Sequence, residues 1–204
     1  KVRSRALFIT QLLLGSLAQG GVAMWVRAAP GVTYTVNSIA DGVDISPGNG
    51  ICETGPGNGI CTLRAAIQEA NALYGDDTIT LPAGTYTLTL VGNDDIGAAG
   101  DLDINDNLTI NGAGYATTII DANSATTNDR ALDILHDFNV VLIHGVTVCN
   151  GKAPEGGGLR NSGVLTISNS LFTDNEAVSA VPAFVKGGAI YSNDSLTVSD
   201  STFS

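Results

Sequence analysis

Short runs in which apolar and polar residues alternate dominate the chain after residue 76. Alternation places successive side chains on opposite faces of a strand, so each run predicts a short, half-buried β-strand. Glycine, proline, asparagine and aspartate separate the runs, as they do at turns. The predicted strands cover residues 33–36, 77–81, 85–90, 102–106, 108–112, 116–121, 131–135, 140–148, 164–168 and 195–199.

The later strands belong to a sequence repeat. Residues 156–173 align without gaps to residues 187–204, at an offset of 31. Looser copies lie 24 residues and then a further 33 residues upstream. Repeats of this length cannot bury a core alone, whereas stacked coils can, so the repeat predicts a solenoid with equivalent apolar residues in inward columns. The paired positions are Leu108, Val141, Leu165 and Leu196 in one column, Ile110, Ile143, Ile167 and Val198 in the next, and Val148, Phe172 and Phe203 in a third.

Residues 62–74 have the period of an amphipathic helix. Thr62 is suited to cap the N-terminus of this helix, and Gly75 is suited to end it. At a corner farther along the chain, the amide of Asn175 is expected to hydrogen-bond the turning backbone. Because a solenoid has an open apolar end, we expect the helix to cap it. The alternative is a helix that packs on a separate small domain.

Composition agrees with an all-β, turn-rich protein. The chain has 25 glycines, 44% hydrophobic residues, only 5% aromatic residues and 14% charged residues. Its formal net charge of -11 disfavours binding to the phosphates of nucleic acid. The acidity serves solubility, or it attracts divalent cations.

The N-terminal residues 1–28 resemble a secretory signal peptide. Three basic residues precede an apolar stretch at residues 6–17, and small residues make cleavage after Ala28 plausible. An uncleaved membrane anchor at residues 6–26 is the alternative, disfavoured by its glutamines and glycines. The mature protein is therefore expected to be extracellular or on a cell surface.

Cys52 and Cys61 flank a loop rich in glycine, proline and asparagine. Export implies an oxidising compartment, so the pair predicts a disulfide. Cys149 is left over and lies in a strand pattern, which favours an inert buried thiol over a reactive one.

The segment CTLRAAIQEAN at residues 61–71, with DTITLPAGTYTLT after it at 77–89, resembles the CSLREA-type domain of bacterial exported proteins. The match departs at Ala65, where the family has a glutamate that would complete a capping box with Thr62. In that family the domain follows the signal peptide and precedes a pectin-lyase-like, right-handed parallel β-helix. The matching residues are Cys61, Thr62, Leu63, Arg64, Ala66, Ile67, Ala70 and Asn71.

Residues 156–204 contain the motifs GGAI (187–190) and FTDN (172–175), which are similar to those of polymorphic outer membrane protein repeats. Together the resemblances imply an all-β, right-handed parallel β-helix with an adhesive or passenger role. They imply a signal peptide at 1–28, a CSLREA-type capping region at 29–76 and β-helix repeats at 77–204. Because residue 204 lies inside a repeat, further coils are expected after it.

Candidate chemistry is sparse, and neither resemblance supplies a catalytic residue. Asp101, Asp103 and Asp106 form the best calcium candidate, but the sequence favours solvated turn carboxylates over a metal site. No other cofactor is expected. His136 and His144 have no catalytic partner in the pattern. Arg160 is expected to face outward without an acidic partner.

Two functions remain open. The first is a non-catalytic surface protein, an adhesin or structural module with a host, cell-surface or polysaccharide ligand, which predicts an outer face of Thr, Ser and Asn. The alternative is a polysaccharide lyase or glycoside hydrolase, which predicts a groove with clustered carboxylates and Arg or Lys. The sequence favours the first.

Overall fold

The structure is a computed structural model that describes residues 30–179 and 185–204. Within those residues the strands form a parallel β-solenoid of about four turns. The predicted signal segment 1–28 lies outside the described residues. No helix in the described part of the chain has both the length and the hydropathy needed to cross a bilayer.

Three parallel sheets run along the described part of the solenoid. Sheet 1 contains β1 (Thr33–Thr35), β2 (Asp77–Leu81), β5 (Leu108–Gly112), β8 (Val140–His144), β12 (Val164–Ser168) and β16 (Leu196–Ser199). Sheet 2 contains β3 (Gly84–Thr87), β6 (Thr118–Asp121), β9 (Thr147–Cys149), β13 (Leu171–Thr173) and β17 (Thr202–Phe203). Sheet 3 contains β4 (Leu102–Ile104), β7 (Leu132–Ile134), β11 (Leu159–Asn161) and β15 (Ile190–Ser192). A further pair joins β10 (Lys152–Ala153) to β14 (Glu176–Ala177).

The strand registers confirm the sequence repeat. Leu165 pairs with Leu196 on one side and Val141 on the other, and Phe172 pairs with Phe203 and Val148 in the same way. The columns of inner turns are fully buried, whereas Val198 in the terminal strand β16 is 40% exposed. Equivalent residues thus stack through the core, and the last described turn leaves its layer partly open.

Backbone geometry at the corners explains one departure from the predicted strands. The predicted strand at 140–148 is split into β8 and β9 by Gly145, which adopts a φ of 68° that side chains disfavour. The expected role of Asn175 is confirmed at another corner. Its amide nitrogen donates to the Val148 carbonyl at 2.9 Å, and its amide oxygen accepts from the Gly151 amide at 3.0 Å.

The predicted amphipathic helix is present as α1 (Leu63–Ala72). The hydroxyl of Thr62 accepts a hydrogen bond from the Ala65 amide at 3.1 Å, as predicted for an N-cap. The helix ends before Gly75, because Leu73 already has an extended backbone. Ala65 is fully buried, so a glutamate there would lose its hydration.

The apolar face of α1 belongs to the same core as the solenoid, so the helix does not pack on a separate domain. Its core residues are Leu63, Ala66, Ile67 and Ala70. The predicted Cys52–Cys61 disulfide is present beside the helix N-terminus. Cys149 is buried and unpaired, and burial raises the pKa of its thiol to about 11, which agrees with the predicted inert thiol.

Candidate functional site

One outward column of sheet 3 carries charged residues. Asp103 in β4 lies in register with Asp133 in β7, which lies in register with Arg160 in β11. Their strand neighbours, such as Leu102 and Ile104, are fully buried in the core, so the alternate residues point outward. Stacking therefore brings together side chains that are about a coil apart in the sequence.

Three carboxylates converge at this column. Asp101, Asp103 and Asp133 each offer an oxygen, and these oxygens all lie within 4.8 Å of one another. We call these three residues the carboxylate cluster. Their exposed fractions are 5%, 1% and 2%, so Asp101 and Asp103 are not the solvated turn carboxylates that the sequence favoured.

Asp106, the third residue of the predicted calcium site, is not part of the carboxylate cluster. Its carboxylate accepts the Asn107 amide, and its charge acts on Asp77 instead. Asp133, and not Asp106, is therefore the third carboxylate. The sequence contains a signal for this: the tripeptide LDI occurs at 102–104 and again at 132–134. Aligning these copies would have placed Asp103 beside Asp133.

Two arginines bind the carboxylate cluster. Arg160 donates from Nε to Asp133 Oδ1 at 2.8 Å, and its terminal nitrogen lies 2.6 Å from Asp133 Oδ2. Arg130 also pairs with Asp133 Oδ2, and it lies 3.6 Å from Asp101 Oδ2. The expectation that Arg160 has no acidic partner is therefore wrong. Its partner lies one coil earlier in the chain and becomes adjacent only through stacking.

Burial perturbs the acidity of the cluster. It raises the pKa of Asp101 to about 8, with further increases from the negative charges of Asp129, Asp103 and Asp133 and an opposing effect of Arg130. Burial also raises the pKa of Asp103 to about 7, against the effect of a hydrogen bond from the Gly97 amide. Burial thus disfavours the charged form of both carboxyls.

A loop of residues 91–100 covers the carboxylate cluster and is fixed by helix α1. The Gly97 amide donates to Asp103 Oδ2 at 2.8 Å, while Asp103 Oδ1 is buried without a hydrogen-bond partner. Arg64 of α1 donates to the carbonyls of Gly97 at 3.0 Å, Gly100 at 2.9 Å and Asp101 at 3.1 Å. The arginine of the CTLRAA motif thus holds the loop over the cluster.

A cleft of about 410 Å³ opens beside the cluster, lined by residues 92–95 and 127–130 together with Asp101, Asp133 and Arg160. Part of this wall comes from the short helix α2 (Ser124–Thr127). Both oxygens of Asp133 are bound by arginine, and Asp103 does not reach the cleft. The arrangement is suited to neutralising buried charge and poorly suited to a free general base or nucleophile.

The two histidines lie away from the cleft. His144 Nδ1 is 3.0 Å from the Ser168 hydroxyl on sheet 1, and His136 stacks on Phe138 at 5.2 Å between ring centroids. Neither contributes to the lining of the cleft beside the carboxylate cluster. Their sequence interpretation as non-catalytic residues stays a prediction.

Sheet 1 presents a second candidate surface, which we call the hydroxyl face. Its strands place two outward columns side by side, because the intervening residues point into the core. In the described strands these two columns contain no Asp, Glu, Lys or Arg. The first column is Thr33, Thr78, Thr109, Leu142, Thr166 and Thr197, and the second is Thr35, Thr80, Asn111, His144, Ser168 and Ser199.

Comparison of the chain with protein-family models, with curated proteins and with solved structures found no match. Function therefore has to be inferred from the hydroxyl face and the carboxylate cluster themselves, because a β-solenoid hosts both enzymes and non-catalytic proteins.

Proposed function

We propose that this chain is an exported, non-catalytic β-helix protein that binds a polysaccharide of a cell surface through its hydroxyl face. The observation that carries the proposal is the composition of the two outward columns of sheet 1, in which Thr, Ser and Asn recur from strand to strand. An adhesin or a structural surface module has this kind of function.

The hydroxyl face suits a long, hydroxyl-bearing ligand. Each threonine or serine hydroxyl donates one hydrogen bond and accepts two, and parallel strands repeat these groups every 4.7–4.9 Å or so. The sheet fixes the backbone of every group, so binding orders little of the protein. Leu142 within the first column is 42% exposed, and Val140 and Val164 beside it are 44% and 39% exposed. These three side chains supply apolar contact for sugar rings.

Export and surface location are parts of the same proposal. They are supported by the signal pattern at residues 1–28 and by the Cys52–Cys61 disulfide, since disulfides persist in oxidising compartments. We propose further that the solenoid is a right-handed, pectin-lyase-like β-helix with a CSLREA-type region in which α1 covers its N-terminal end.

A carbohydrate-active enzyme is the second candidate, because the structure contains the feature that this hypothesis predicted. The carboxylate cluster and two arginines border an open cleft. Against it stand the arginine-bound state of Asp133 and the near-complete burial of Asp103. A carboxylate that holds two guanidinium groups is not free to take a proton from a substrate.

Polysaccharide affinity electrophoresis with a matched pair of variants tests the binding proposal. Thr166→Lys places a charge in the hydroxyl face, whereas Thr85→Lys places it on the exposed outer side of sheet 2. Against a panel of cell-surface polysaccharides, T166K should weaken the binding seen for the wild type by roughly tenfold, equivalent to about 1.4 kcal/mol. T85K should bind as the wild type does.

Equal losses in T166K and T85K, or no binding by the wild type, would contradict a role for the hydroxyl face. The enzyme hypothesis is tested by incubating the purified protein with pectin and alginate, with and without calcium. We expect no unsaturated product. Product formation that is lost in Asp101→Ala would replace the binding proposal with catalysis at the cleft.

A further inference from the structure

The geometry points to a calcium site formed by Asp101, Asp103 and Asp133 beneath the loop of residues 91–100. This site is separate from the hydroxyl face, and it does not depend on what that face binds. Its role is structural: the ion joins the strands β4 and β7 to Asp101, which directly follows the covering loop.

The three carboxylates already have the convergence that a cation needs. Their offered oxygens lie within 4.8 Å of one another, and all three side chains are at least nine-tenths buried. The backbone fixes them independently, because Asp103 and Asp133 are ladder neighbours in sheet 3 and Asp101 directly precedes β4. The backbone therefore needs little rearrangement on binding, whereas the arginine contacts to Asp133 have to loosen.

A buried acceptor without a partner indicates what the cluster lacks. Asp103 is 1% exposed, and its Oδ1 makes no hydrogen bond although Oδ2 accepts the Gly97 amide. An unpaired, buried carboxylate oxygen is costly, and a bound cation removes that cost. This observation is independent of the clustering, since converging carboxylates could all have been satisfied by the protein.

The charge balance points to a divalent ion. Asp101, Asp103, Asp129 and Asp133 supply four negative charges when ionised, and Arg130 and Arg160 supply two positive charges. Asp94 and Asp95 also act on Asp103, so the excess is at least two negative charges when all these carboxylates are ionised. Oxygen ligands without nitrogen or sulfur favour a hard cation, and calcium accepts irregular sets of six to eight oxygens more readily than magnesium does. Water in the adjacent cleft can complete the shell.

Arg130 gives the proposal its sharpest consequence. Its terminal nitrogen pairs with Asp133 and lies 3.6 Å from Asp101 Oδ2, so its positive charge borders the proposed ion. A guanidinium there competes with calcium for the same oxygens. Arg160 differs, because it binds Asp133 from the neighbouring strand and no contact joins it to Asp101 or Asp103 among the described hydrogen bonds and ion pairs.

Isothermal titration calorimetry of calcium chloride into chelator-treated protein at mildly alkaline pH tests the site. The wild type should bind one ion saturably, with a matching rise in the thermal unfolding midpoint. Asp103→Asn should weaken binding by more than about tenfold, as loss of an oriented ligand does. Arg130→Gln should bind calcium more tightly than the wild type. Asp106→Asn is the matched control and should leave the affinity unchanged.

Absence of both saturable heat and a midpoint shift in the wild type would overturn the proposal. So would an equal loss of affinity in Asp103→Asn and Asp106→Asn, because calcium would then be bound by diffuse acidity. If Asp103→Asn does not fold, Arg130→Gln decides the question. Tighter binding supports the site, and unchanged or weaker binding refutes it.

Discussion

Replacing Arg64 by methionine should lower the free energy of unfolding far more than the loss of a surface ion pair does. The Arg64 side chain is fully buried and donates five hydrogen bonds. Two of them go to the carboxylate of Asp41, at 2.6 and 3.3 Å. The other three go to the carbonyls of Gly97 and Gly100 in the covering loop and of Asp101 directly after it. Methionine fills a similar volume but donates none.

The cost follows from what the substitution leaves behind. Asp41 would keep only the amides of Thr89 and Leu90, at 2.6 and 3.0 Å, in a site where its side chain is 1% exposed. Removing one partner of a buried ion pair typically costs about 3–5 kcal/mol, because the other charge stays buried without compensation. The carbonyls of Gly97, Gly100 and Asp101 lose a donor as well. The destabilisation by Arg64→Met should therefore lie in the upper part of this range.

Urea unfolding followed by circular dichroism measures the total effect, and amide hydrogen exchange locates it. Exchange should accelerate at residues 89–101, where the loop depends on Arg64 and Asp41. The matched control is Lys152→Met, which removes an ion pair with Glu176 at 3.4 Å whose side chains are 39% and 65% exposed. Such a pair contributes about 0–1 kcal/mol. If Arg64→Met costs no more than Lys152→Met, the five hydrogen bonds of Arg64 do not stabilise the fold.

Acid should destabilise the wild type in part as Arg64→Met does, because it neutralises the Asp41 partner of Arg64. Burial alone would raise the pKa of Asp41, but the hydrogen bond and charge of Arg64 and the amides of Thr89 and Leu90 lower it below 3.8. A carboxyl with a lowered pKa stabilises the folded state above its unfolded pKa and loses that effect as the pH falls through its folded pKa. The difference in stability between wild type and Arg64→Met should therefore narrow below about pH 4.

Two further predictions concern the ends of the described solenoid. Labelling of unreduced, unfolded protein with a thiol reagent should modify Cys149 alone, and labelling of all three cysteines would refute the disulfide in solution. Reduction of the Cys52–Cys61 bond should lower the free energy of unfolding by roughly 2–3 kcal/mol. Val198 and Phe203 are 40% and 44% exposed on strands that have no further neighbour among the described residues. Residues 30–204 expressed alone should therefore self-associate or exchange amides faster at 187–204 than at 156–173; a monomer with equal protection in both repeats would contradict this.

Strand register was predictable from the sequence because stacking converts a repeat into a column. The gapless match of residues 156–173 with 187–204 pairs Leu165 with Leu196, and the ladder of β12 with β16 has that register. The disulfide was predictable for a similar reason, since a short loop brings Cys52 and Cys61 close whatever surrounds them. Both features depend on local spacing.

The carboxylate cluster was only half predictable. Asp101 and Asp103 are two residues apart, so the sequence indicates that they lie close together. Asp133 and Arg160 join them only through stacking of separate coils. Alternation in the strands indicates that Asp103 faces outward, which normally means solvent. Its burial comes from residues 91–100, an irregular loop whose path has no periodic pattern to read.

The N-terminal helix and the acidic column of sheet 3 therefore form one structural unit. Asn71 of α1 donates to the Asp103 carbonyl at 2.7 Å and accepts the Asn105 amide at 2.8 Å, on either side of the strand end. Arg64, about two turns earlier on the same face of the helix, holds the loop that covers the Asp103 carboxylate. Because the same helix binds both the strand and its cover, the helix and the acidic column should be gained or lost together on folding. Arg64 is thus important for the carboxylate cluster although it does not bind the carboxylates. Without the charge on Arg64, the loop would expose the buried carboxylates to water, and they would no longer need the arginines to neutralise them.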